Sequence, residues 1–389
     1  MKKIIPVAEL KFGMYVAELD RPWTDTPFMF QGFVLRTDQQ LAALKKFCKA
    51  VTVDSERSEL PQQPPAPQRY ATQVSVEHEV AQAKAAHGTA QAAMRDALSA
   101  VRANRMLDAH SLEQAVGAMT ESVLRNPDAL MLFSQLREKG DYAHSHALDV
   151  AVYMTSFGRF LQLPKEQISL LGYLGLMQDI GKLRVPSEVL AKRERLTDEE
   201  VAQARQHVEH SVAILRETTG LPAQLPALAA LHHERHDGSG YPKALKGRDI
   251  GMLGSIAAIA DTFDALTTRR PYAEPVSPST ALSMLYKWRD TLFDATLVEQ
   301  FIRCIGIFPL GSVVELNSGE VGIVIAQNTE KRLQPRVMVI RGADGNTLKP
   351  QKLLDLSRAP KSSPDESYRI KRTLEYGKLK VTVESLFMT

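Results

Sequence analysis

Seven of the ten histidines in this 389-residue chain, His144, His146, His207, His210, His232, His233 and His236, fall within fewer than a hundred consecutive residues. Imidazole is the commonest side-chain ligand for transition metals, and burying it without a partner is costly. Such crowding demands a reason in the fold. Cys48 and Cys304 are the only cysteines, too few for a disulfide framework or a thiolate zinc site. Any metal is therefore held by histidine and carboxylate.

Several segments supply the candidates. Gln178-Asp179-Ile180-Gly181-Lys182 closes an apolar stretch from Leu170 to Met177. On a helix Asp179 and Lys182 share a face, which sets a metal-bridging carboxylate beside a cation suited to phosphate. Taken alone, that spacing is equally well explained by a surface ion pair. His207 belongs to a helix whose start is the capping box Thr197-Asp198-Glu199-Glu200. Adjacent helical residues diverge by about 100°, so the pair His232-His233 serves one metal best at a helix end. The turn follows in Asp237-Gly238-Ser239-Gly240-Tyr241-Pro242. Asp261 sits among Ile256, Ile259, Ala260 and Phe263 at helical spacing, where a carboxylate is expensive unless paired or metal-bound. His146 adds one more imidazole.

Each of these residues, taken singly, is an ordinary satisfied polar side chain. Together His146, Asp179, His207, His232, His233 and Asp261 form a mixed nitrogen and oxygen set suited to iron, manganese or zinc. His144, His210 and His236 are expected to face solvent or to stand behind the ligands. Asp264 and Asp237 are expected to orient neighbours by hydrogen bonds, and Glu234 to pair with an arginine.

The length argues for two or three domains. Residues 1–55 read as a small β-rich module with one helix near Asp38 to Cys48, and residues 56–73 as a proline-rich linker built around Pro61 to Pro67. Residues 74–136, rich in Ala, Glu, Gln, Arg and Leu, read as a helical stalk able to form a homodimer. Residues 137–305 continue as helices. Residues 306–357 form a small antiparallel β module, with turns at Asn317-Ser318-Gly319 and Asp344-Gly345-Asn346, and 358–389 a charged, solvated tail. The fold class is mainly α, flanked by two small β modules. With 48 basic against 45 acidic residues, the net charge of +3 gives no case for duplex nucleic acid. The longest apolar runs fall short of the roughly 20 residues that span a bilayer, and the start MKKIIPVAEL lacks a signal-peptide block, so no membrane span and a cytoplasmic location are expected.

In order, the chain reads Tyr142-x-x-x-His146, Asp179-Ile-Gly-Lys182, His207, His232-His-Glu-Arg-x-Asp-Gly-Ser-Gly-Tyr-Pro242 and Asp261-x-x-Asp-Ala-Leu-Thr-x-x-Arg-Pro-Tyr272. This resembles the HD-GYP family of cyclic di-GMP phosphodiesterases, a branch of the HD-domain phosphohydrolases, over about residues 140–290. The N-terminal module resembles the uncharacterised domain often found ahead of bacterial HD-GYP domains. The resemblance implies an all-α domain with two divalent metals. One would use His146, position 178, Asp179 and Asp261; the other would share Asp179 and add His207, His232 and His233. It implies that Asp179 and Lys182 take part in catalysis, Lys182 by holding a phosphate oxygen with help from Arg269 or Arg270. Gly238, Gly240, Tyr241 and Pro242 would shape the nucleotide pocket or a face for a signalling protein. Tyr142, where some members carry an acid, argues against a third metal.

The chain departs from the family at the signature itself, where Gln178 replaces histidine. An amide is the poorer ligand, so metal occupancy and hydrolysis of cyclic di-GMP to linear pGpG or GMP are expected to be weakened. The alternative is a degenerate domain that senses the dinucleotide or docks a signalling partner. A further alternative, an HD-domain phosphohydrolase acting on other nucleotides, ranks below both.

Overall fold

The computed structural model describes residues 2–21, 32–35, 37–54, 70–136, 142–270, 274–328, 331–374 and 383–387. The chain divides into two compact units, Met1–Arg69 and Tyr70–Thr389. In the first, strands β1 (Lys2–Pro6), β2 (Tyr15–Leu19) and β3 (Phe33–Val34) precede helix α1 (Asp38–Phe47) and strand β4 (Ala50–Asp54). The strands pair antiparallel in the order β1-β4-β2-β3. Thr37 and Gln40 close a capping box at the start of α1, whose Leu44 joins Val16, Leu35, Val51 and Val53 in a small core. The proline run 61–67 lies outside the described residues.

The second unit opens with α2 (Val76–Arg102), α3 (Ala109–Arg125) and α4 (Pro127–Leu136). These helices were expected to form a stalk; instead they share one core with the helices that follow. The alanines at 83, 86, 90, 93 and 97 of α2 are all buried at intervals of three or four, a narrow stripe that lets α3 pack closely. The apolar face from which self-association was expected is thus taken up within the chain.

Next come α5 (Tyr142–Phe160), α6 (Lys165–Met177), α7 (Ser187–Ala191), α8 (Asp198–Arg205), α9 (His207–Glu217), α10 (Leu225–Ala229), α11 (Gly251–Thr267), α12 (Pro278–Lys287) and α13 (Ala295–Ile305). Gly175 lets α6 press against α5, since a Cβ there would stand 2.4 Å from the Ala151 Cα. Edge-to-face contacts of Phe301 with Phe157 (5.2 Å) and Phe263 (5.3 Å) tie α13 to α5 and α11. Residues Gly247–Thr267, which include α11, are apolar and long enough to cross a membrane by composition alone. Yet α11 is a core helix, burying Ile256, Ile259, Phe263 and two aspartates.

Strands β5 (Val313–Leu316), β6 (Val321–Ala326), β7 (Arg336–Arg341) and β8 (Thr347–Asp355) follow, then β9 (Lys361–Ser363), β10 (Glu366–Ser367) and β11 (Ile370–Leu374). The main sheet runs β11-β5-β6-β7-β8, all antiparallel. The expected solvated tail is therefore partly sheet: β11 adds an edge strand to β5, with half-buried Ile370 and Leu374. Its charges are paired, Lys371 and Arg372 reaching Glu315 at 2.9 and 2.6 Å.

Candidate metal centre

Five stretches of chain converge at the site. α5 brings His146, the end of α6 brings Gln178 and Asp179, the start of α9 brings His207, the turn after α10 brings His232 and His233, and α11 brings Asp261. The convergence depends on Gly181. A Cβ there would lie 2.2 Å from the His207 carbonyl oxygen and 2.3 Å from the Ser211 nitrogen, and the Gly181 amide donates to Ser211 Oγ at 2.9 Å. Any larger residue would push α9, and His207 with it, away from Asp179. His207 is not on the helix capped by Thr197, as the sequence suggested: that helix stops at Arg205 and His207 opens the next.

One group joins Asp179, His207, His232 and His233, and another joins His146, Asp179 and Asp261; within each, one ligand atom per residue lies within 4.8 Å of the rest. Asp179 belongs to both. His207 Nδ1 lies 2.7 Å from the Ala204 carbonyl and His232 Nδ1 2.8 Å from that of Ala229. A carbonyl only accepts, so each ring carries a proton on Nδ1 and turns Nε2 toward Asp179. The two Nε2 atoms stand 3.4 Å apart, with His233 Nε2 3.2 Å from that of His207. Asp179 Oδ1, buried without a hydrogen bond, is 3.3 Å from His207 Nε2 and 3.5 Å from His232 Nε2. Three imidazole nitrogens and a buried carboxylate oxygen brought this close together form a donor set suited to a cation.

The other half is richer in carboxylate. His146 Nδ1 donates to Asp264 Oδ2 at 2.6 Å, while its Nε2 lies 3.1 Å from Asp261 Oδ1 and 3.3 Å from Asp179 Oδ2. Burial alone would lower the His146 pKa, but Asp179, Asp261 and Asp264 outweigh it and raise it well above the ordinary imidazole range. Burial would raise Asp179 too, yet Lys182, His146, His207 and His232 hold it well below the usual carboxylate range. Asp261 is lowered in the same way, by His146 against the effect of burial. Gln178 donates through Nε2 to Asp261 Oδ1 at 3.2 Å, and its buried Oε1 has no hydrogen-bond partner. An orphaned buried amide oxygen beside a carboxylate-rich cluster suits a cation as well. The donor set fits divalent metal in both halves.

Lys182 Nζ reaches Asp179 Oδ2 at 2.7 Å and stays partly exposed. In the loop after His233, Gly238 takes φ +83°, and Gly240 passes so close to the backbone that a Cβ would meet the Arg235 nitrogen at 2.4 Å. That path lays Tyr241 on the His233 ring, centroids 4.7 Å apart, with the Arg205 guanidinium 4.7 Å from the Tyr241 centroid. Burial raises the Tyr241 pKa, which keeps its hydroxyl protonated. Burial first, then the neighbouring His232, hold His233 well below the ordinary imidazole range, leaving its lone pair available.

Some expectations move. Arg269 is an exposed surface residue paired with Glu274 at 2.7 Å, and Arg270 donates to the Ala265 carbonyl at the end of α11. Among the described residues Glu234 pairs with no arginine; it is buried and accepts from the Lys243 and Leu245 amides at 2.7 and 2.9 Å. It thereby anchors the chain just after Pro242. Asp264 stands behind His146 as expected, whereas Asp237 accepts only within its own turn, from Ser239. The side chains of Tyr142 and His144, and Pro271 to Ala273, lie outside the described residues. Sequence reasoning missed Arg205 and the carbonyls of Ala204 and Ala229. The carbonyls leave no trace in residue type.

Known proteins show the same arrangement of parts. The HD domain matches residues 128–297, a domain of unknown function (DUF3391) matches 2–112, and the KOW domain associated with HD domain matches 313–362. The cyclic di-GMP phosphodiesterase PA4108 of Pseudomonas aeruginosa is 32% identical over 377 residues, 92% of this chain and 90% of that protein. The cyclic di-GMP phosphodiesterase response regulator RpfG of Xanthomonas campestris is 34% identical over 196 residues, 50% of this chain and 52% of its own length. A 3'3'-cGAMP-specific phosphodiesterase of Vibrio cholerae is 35% identical over 160 residues, 41% of this chain and 31% of that one. An all-helical hydrolase fold with a histidine–aspartate cluster defines the class, and the chain belongs to the HD-GYP family of HD-domain phosphohydrolases.

Proposed function

We propose that residues 137–305 hydrolyse a phosphodiester bond of a cyclic dinucleotide, with cyclic di-GMP as the substrate and linear pGpG or GMP as the product. The observation that carries this reading is the pair of committed Nδ1 protons, which turn His207 Nε2 and His232 Nε2 toward Asp179 Oδ1, an oxygen buried without a hydrogen bond among the described residues. Asp179, His207, His232 and His233 would hold one divalent ion of iron, manganese or zinc, and His146, Asp179 and Asp261 a second. When bound, such ions acidify water and neutralise charge that builds on phosphate oxygens.

The chain's own residues supply the rest. Gln178 Oε1 would complete the His146 half, as a weaker donor than imidazole. Asp264 fixes the His146 ring and leaves its Nε2 directed at Asp179 and Asp261. Lys182 offers its ammonium, already drawn to Asp179, to a non-bridging phosphate oxygen. The Gly238 to Pro242 loop borders the cluster through the Tyr241–His233 stack and so shapes one side of the nucleotide's approach. The relatives' names favour cyclic di-GMP over 3'3'-cGAMP, because the relative that matches most of this chain carries the former.

The test measures iron, manganese and zinc per chain together with linear product from cyclic di-GMP and, separately, from 3'3'-cGAMP. Metal with turnover of cyclic di-GMP sustains the reading. Product from 3'3'-cGAMP alone corrects the substrate. A silent parent whose Gln178→His form gains both metal and turnover would make the natural chain a sensor or docking module.

A further inference from the structure

Where α4, α5 and α13 meet the end of β6 there is a cavity of about 70 Å³, away from every residue of the metal cluster. One water needs roughly 10–15 Å³ on that measure, so the space takes several waters or one phosphate group. Ser156, 1% exposed, lines it, and among the described residues the Ser156 Oγ has no hydrogen-bond partner. A buried hydroxyl left unpaired costs stability that a bound acceptor would recover. Arg303 and Arg332, both exposed, sit at the rim and make no hydrogen bond or ion pair among the described residues. Arg159 is buried beside them, and the one carboxylate is Asp128, which already accepts from the Gln327 amide at 2.9 Å. Three guanidiniums against one carboxylate make the lining positive.

We propose that this cavity is a second ligand site, specific for a phosphate group, with Arg303 and Arg332 gripping the anion and Ser156 Oγ donating from below. Guanidinium recognises phosphate oxygens through paired N–H donors, which the two arginines have uncommitted. Ser156 and Arg159 lie on α5, the helix that also carries His146. Ten residues of helix put the two sites about 15 Å apart along one rigid rod, so an occupant here bears on the element that positions a candidate metal ligand.

The phosphate group could be inorganic phosphate or part of a phosphorylated metabolite, and calorimetry on the full-length, metal-loaded protein distinguishes them. Inorganic phosphate and 5′-GMP are titrated separately into the parent, into Asp179→Asn, which cripples the metal cluster, and into Arg303→Ala/Arg332→Ala. We expect a saturable event that survives Asp179→Asn and weakens about tenfold or more in the arginine pair, because charge-assisted hydrogen bonds are lost. Ser156→Ala should weaken it by a smaller factor, about threefold, through one hydroxyl. Saturation by inorganic phosphate identifies free phosphate as the ligand; saturation by 5′-GMP alone identifies a phosphorylated metabolite. If all binding disappears with Asp179→Asn, or the arginine pair leaves it unchanged, the proposal is wrong. Both arginines are exposed, so their loss leaves the core intact and the fold is no excuse for a negative result.

Discussion

Two places where the helical unit withdraws aspartate from water have opposite outcomes. In the metal cluster Asp179 and Asp261 are held below the ordinary range, because His146, the other imidazoles and Lys182 more than offset desolvation. At the seam between α4 and β6, Asp128 has Arg159 and Arg336 nearby and one backbone amide, but desolvation wins and its pKa is pushed up to about 6. A carboxylate held ionised against burial has cationic and hydrogen-bonding partners that outweigh desolvation; one that burial lifts has too few of them.

The most severe way to break the contrast is to remove the shared carboxylate. Asp179→Ala should empty both halves of the cluster and reduce hydrolysis to below about a thousandth of the parent, since each candidate ion loses a ligand at once. Metal analysis of the purified variant checks this; retention of one ion per chain would show that the halves are independent. Asp264→Asn is milder, because an amide oxygen still accepts from His146 Nδ1 while the charge is gone. Loss of a carboxylate behind a ligating histidine typically costs about 10–100-fold in metal affinity, so competition with a chelator should show a drop of that size, confined to the His146 half. Gln178→His works in the other direction. It should raise metal occupancy and turnover by about tenfold, as imidazole replaces an amide oxygen. No change in metal content would mean that Gln178 Oε1 already serves as an adequate ligand.

How much of this was legible in the sequence depended on what kind of information each feature carries. The helical spacing around Asp261 and the glycine-rich turn after His233 are written in residue type, and the structure has α11 and a turn there. So was the fold class. The packing of α2 was not: an alanine stripe reads the same whether its partner is another copy or the next helix, and here it is α3 within one core. Nor was β11 legible, because Lys371 and Arg372 look solvated until Glu315 on the neighbouring strand is known. The directions of Arg269 and Arg270, expected beside phosphate, were hidden for a related reason. Sequence proximity to a motif says nothing about direction, and Arg269 points to Glu274 on the surface.

The smallest effect tests the other side of the contrast. The folded pKa of Asp128, about 6, lies above the ordinary 3.8, so the folded chain binds this proton more tightly than the unfolded chain does. The favourable term is present in acid and is lost as pH rises through about 6, and the ionised carboxylate then opposes folding. Asp128→Asn keeps an oxygen for the Gln327 amide and removes the charge. Because the side chain is only half-buried, the shift is discounted for solvent, and the variant should be more stable than the parent by about 1–2 kcal/mol at pH 8 and by about zero at pH 4. Denaturant titrations of both proteins at the two pH values measure the difference, in which the other titrating groups cancel. A variant less stable than the parent at pH 8 would mean that Arg159 and Arg336 already compensate the charge. Asp128 would then belong with the cluster's aspartates, and the distinction between the two regions would fail.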